Sequence, residues 1–81
     1  MSILDGLGVV DLLPSIRTRA TTHLARLILA QDPHILALVK AQALGFVEGL
    51  EIVHGVNSAT IEAMNLAIEH VAIDRLKELL L

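Results

Sequence analysis

At 81 residues the chain has room for one domain and a modest core; a chain of this size buries on the order of 60% of its unfolded surface. Apolar residues make up 54% of the chain and charged ones 19%, and the net charge of −3 does not favour nucleic acid as a bulk partner. Cysteine, tyrosine and tryptophan are absent and Phe46 is the single aromatic, which excludes disulfide and thiol chemistry and the stacking platforms of single-strand nucleic-acid binders.

Residues 1–10 read as an apolar N-terminal arm broken by Gly6 and Gly8. Leaving Ile3, Leu4, Leu7, Val9 and Val10 in water is costly, so the arm is expected to pack on its own bundle or across a dimer. The start is acidic and lacks a basic n-region and cleavage site, so no signal peptide is read. No charge-free run is long enough to span a membrane, and the chain is expected to be cytoplasmic and complete.

Helix 1 is expected over 11–31, with Asp11 as N-cap and Pro14 harmless in the first turn. Its apolar face is Leu13, Ile16, Ala20, Leu24, Leu27 and Ile28. Arg17 lies on the apolar side, where its stem can snorkel past the helix end. On the polar face Arg19, His23 and Arg26 form a basic stripe with Ser15 and Thr22. The plainer reading of that stripe is pairing with the acidic helix 3 (Glu62, Glu69, Asp74 and Glu78); the functional one is docking on an acidic surface, a phosphate or nucleic acid.

Helix 2 is expected over 33–54, capped by Asp32, with Pro33 at the first helical position and Gly55 as its stop. Two or three linking residues make helices 1 and 2 an antiparallel hairpin. One arc carries Lys40, Glu48, Glu51 and His54; the opposite arc carries Ile35, Leu38, Val39, Phe46, Leu50 and Val53 and is the expected core face. Ala37, Ala41, Gly45 and Gly49 recur every fourth residue as a ridge of small side chains. An interior glycine costs a helix roughly 1 kcal/mol relative to alanine, so a second backbone is expected close by. That backbone belongs to helix 1, to helix 3 or to another copy of the chain.

Helix 3 is expected over 58–80, capped by Asn57 or Ser58. It bears two apolar stripes: Ile61, Met64, Ile68, Val71, Ala72 and Leu79, and, about 120° away, Leu66, Ile73, Leu76 and Leu80. Two stripes imply two neighbours, the chain's own bundle and a second subunit.

Catalytic signatures are missing. There is no phosphate loop, nucleophile elbow or H-E-x-x-H, and Ser2, Ser15 and Ser58 sit at terminal or capping positions. Glu51-Ile-Val-His54 has the spacing of a carboxylate–imidazole metal pair, which Glu62 or Glu69 of a dimer would have to complete. Both residues lie on the polar arc, and helix 1 offers no glutamate, so a solvated face with His54 at the helix C-terminal dipole is the better reading. His70 and Asp74, spaced i, i+4, are read as a surface pair. No cofactor and no metal is assigned.

The expectation is therefore an all-α protein: a three-helix up-down-up bundle with an apolar arm, assembled as a homodimer and not an enzyme. Sixteen leucines, eight isoleucines and seven valines exceed what so small a monomer can hide. The interface candidates are Ala41, Gly45 and Gly49 on helix 2 and Leu66, Ile73, Leu76 and Leu80 on helix 3. In size and composition the chain resembles the small accessory proteins of phages and plasmids, single helical domains that bind and redirect a host protein. That implies an interaction module or inhibitor acting on another protein. Two alternatives stay open: a dimeric nucleic-acid regulator using helix 1, and a carboxylate–histidine metal bundle.

Overall fold

The computed structural model describes residues 14–54 and 56–81. They form three helices, α1 (Pro14–Leu29), α2 (Pro33–Ile52) and α3 (Ser58–Leu80), and no strand occurs among the described residues. The arm (residues 1–10), the expected cap Asp11 and the expected core residue Leu13 lie outside them.

The helix starts follow from cap chemistry. Asp32 is extended (φ −151°, ψ 163°), and the Ile35 N–H donates to its Oδ1 at 2.8 Å. Pro33 behind it has no N–H to leave unpaired. At α3 the Thr60 N–H donates to Asn57 Oδ1 at 2.8 Å, so Asn57 rather than Ser58 is the cap. The end of α2 departs from the expected pattern. Val53 closes the helix, and His54 takes the left-handed conformation with φ 53°. Histidine adopts it more readily than bulkier residues; the expected stop, Gly55, lies outside the described residues.

The core is aliphatic throughout. Leu24 and Leu27 of α1, Leu36 and Val47 of α2, and Ile61, Met64 and Ile68 of α3 are buried, interleaved with Ala20, Ala30, Ala43, Ala67 and Ala72. No polar side chain is buried among the described residues. Alanine at five of these twelve positions lets the helix axes come close, but it leaves little volume for larger groups.

Between helices the polar contacts lie at the rim. The Arg75 Nε–H of α3 donates to the Ala30 carbonyl just past the end of α1, at 2.9 Å. Lys40 of α2 pairs with Glu69 of α3 at 3.1 Å. With both groups partly exposed, that pair contributes under about 1 kcal/mol. It sets which turn of α2 lies against which turn of α3.

Two expectations of the core are overturned in part. On α2, Val39, Phe46 and Leu50 of the expected face pack partly buried against the core, but Ile35, Leu38 and Val53 are 42%, 53% and 70% exposed, and Leu36, Ala43 and Val47 are buried instead. The buried arc is turned from the expected one because α2 is apolar on almost every side, so its sequence pattern does not determine its rotation. Lys40, expected on the solvent arc, faces α3 instead. On α1, Ile28 is 47% exposed, although Ala20, Leu24 and Leu27 are buried as expected. No helix among the described residues is long and apolar enough to cross a membrane.

Candidate interaction surface

Three features of the sequence reach the surface together: the small-residue ridge of α2, the second stripe of α3, and the basic stripe of α1. The ridge is where the structure narrows the alternatives most. Ala41, Gly45 and Gly49 point away from the bundle, and a Cβ built on either glycine meets nothing within 4 Å. Packing of this ridge against α1 or α3 of the same chain is therefore excluded. The nearby Leu38 and Ile52 (69% exposed) make this outer side of α2 apolar.

The second stripe of α3 is also uncovered. Leu66, Ile73, Leu76 and Leu80 are 63%, 47%, 38% and 70% exposed, while Ile61, Met64, Ile68 and Ala72 on the other face are buried. Between the start of α2 and the C-terminal half of α3 runs a groove of about 200 Å³, whose lining includes Pro33, Leu36, Ala37, Ala72, Ile73 and Leu76. Lys40 completes its otherwise apolar lining.

On α1, Ser15, Thr18, Arg19, Thr22, His23 and Arg26 line an open depression of about 570 Å³. These lining residues all belong to one helix. Pairing of the stripe with α3 does not occur within the chain. Among the described residues Arg19 and Arg26 make no ion pair, and Glu69 and Glu78 are taken by Lys40 and Arg75.

His23 leaves the stripe for the core edge. Its ring lies against Phe46, with centroids 5.0 Å apart, and its buried Nδ1 has no hydrogen-bond partner. The crevice beside it, about 10 Å³, admits one water at most. Burial, and then the positive charges of Arg26 and Arg19, push the His23 pKa below its ordinary value of 6.5. Helical spacing alone does not reveal this; the signal in the sequence is a histidine one step off the exposed arc.

The remaining sites do not assemble. Because α2 ends at Ile52 and His54 is left-handed, Glu51 and His54 do not share a helical face. Among the described residues no three histidine or carboxylate groups gather as a metal site, and His70 and Asp74 form no ion pair. No family model, curated protein or solved structure matches the chain.

Two predictions follow from these placements. With no neighbour at their Cβ positions, Gly45→Ala and Gly49→Ala should each stabilise the folded chain by about 0.5–1 kcal/mol, read from urea unfolding. A loss of stability would mean that another backbone packs on the ridge. The lowered pKa of His23 means that the unfolded chain takes up its proton first as pH falls. His23 thus stabilises fully above about pH 6.5, and that contribution is lost as the pH falls through its folded pKa. The urea midpoint should drop on acidification below pH 6.5, and the drop should shrink in His23→Gln.

Proposed function

We propose that the chain is a small, non-enzymatic helical interaction module: an up-down-up bundle that self-associates and acts by occupying the surface of another protein. The up-down-up path is supported by three contacts. His23 in the middle of α1 meets Phe46 late in α2, Lys40 early in α2 meets Glu69 in α3, and Arg75 late in α3 meets Ala30 after α1.

One observation carries the functional reading. Among the described residues, eleven large hydrophobic side chains are exposed, on all three helices and just past the ends of α2 and α3. Scattered singly they would need no explanation, but in α3 they form a continuous stripe, which marks an interaction surface. Phage- and plasmid-type accessory or inhibitor proteins, with a cytoplasmic setting, fit this description. A second reading is favoured by Arg19 and Arg26, which make no ion pair among the described residues: a dimer that presents α1 to nucleic acid.

Light scattering at micromolar concentration should give a mass above that of the 8.7 kDa chain. A clean monomer would overturn self-association. Mobility-shift assays at low salt separate the two readings. A shift that weakens steeply with salt and vanishes in Arg19→Ala/Arg26→Ala would support the nucleic-acid reading over the protein-docking one.

A further inference from the structure

We infer that α3 is the seam of a two-fold dimer, in which the outward faces of two α3 helices pack antiparallel and cross at Ile73. The inference rests on the self-association reading above and names the surface and its geometry. Leu66, Ile73 and Leu80 are spaced by seven. Seven residues are two turns less about 20°, so the three side chains lie almost in line along the helix. All three are largely uncovered by the chain itself. Leu76 widens this line toward the groove against Pro33 and Ala37, which gives the crossing point an apolar flank.

Charge selects the occupant and its direction. Glu62 and Glu69 flank the stripe in its N-terminal half, and Lys77 flanks it in its C-terminal half. A parallel pair would set each of these beside its own like charge. An antiparallel pair centred on Ile73 does the opposite. Glu69 stands four residues before Ile73 and Lys77 four after, so Glu69 comes beside the partner's Lys77, and Leu66 comes opposite the partner's Leu80. The carboxylate of Glu69 is already held by Lys40 at 3.1 Å, so it is oriented before the partner arrives. Each dimer would contain this pair twice, once on either side of the axis. Glu62 lies outside the stretch from Leu66 to Leu80 that the crossing aligns. The seam is thus complementary to itself, as a two-fold interface must be.

The absence of cysteine makes the geometry directly readable. Single cysteines at these exposed positions are treated with a short bis-maleimide, and dimers are counted on a denaturing gel. Ile73→Cys should link to itself. Leu66→Cys alone and Leu80→Cys alone should not, because an antiparallel crossing holds the two copies of either position about 20 Å apart along the axis. An equal mixture of the two variants should link. Lys77→Glu, which sets carboxylate against carboxylate, should weaken the dimer several-fold. Self-linking of Leu66→Cys would overturn the antiparallel arrangement. Self-linking of Gly49→Cys, with none at Ile73→Cys, would move the seam to the α2 ridge. If the unmodified chain is a dimer and Ile73→Cys does not link, the seam is wrong while self-association stands. A monomeric unmodified chain would overturn both.

Discussion

The dominant constraint is one of volume. Three short helices enclose a core in which alanines alternate with a few large aliphatic side chains, and that core has no room for the rest. Leu27, Met64 and Val47 fill its centre. Leucines and isoleucines left over on α1, α2 and α3 must then face outward. A bundle that buried them all would need its helices further apart, and the small residues of the present core would leave cavities, which are costly at roughly 20–30 cal/mol per Å³. Close packing within the chain and apolar surface outside it are therefore two sides of one sequence choice.

With no polar or charged residue in the core among the described residues, and only the His23 Nδ1 buried at its edge, little in the core itself selects one packing over another. Selection falls to the rim and the helix ends. Asp32 and Asn57 define where α2 and α3 begin. Arg75 ties α3 to the end of α1, and Lys40 with Glu69 aligns α2 on α3. Each contributes modestly to stability. Their value is positional: they tie α3 to the end of α1 and to α2.

How much of this was legible depends on how strongly polar residues mark each helix. In α3, Glu62, His70 and Lys77 interrupt the apolar pattern often enough that both stripes, the buried one and the outward Leu66–Ile73–Leu80 line, can be read directly. In α1 the arginines mark the rotation; among the described residues Ile28 strays outward and His23 strays toward the core. In α2, three charges among twenty residues leave the rotation open; Leu36 and Leu38 are the same residue type two positions apart, yet one is buried and the other exposed. The ridge of Ala41, Gly45 and Gly49 was visible as a spacing, but spacing cannot say whether anything packs on it. Glu51 and His54 share a face only if α2 continues through His54, and a helix end cannot be placed to one residue from sequence.

Self-association is the central claim, and thermal unfolding followed by circular dichroism addresses it most directly, over about a hundredfold range of protein concentration. A chain stabilised by its own partner must melt at a higher temperature as concentration rises, because assembly binds only the folded form. A rising melting temperature is the expected result, and it should flatten in Lys77→Glu. A melting temperature independent of concentration would show that the exposed apolar stripe is not covered by a second copy.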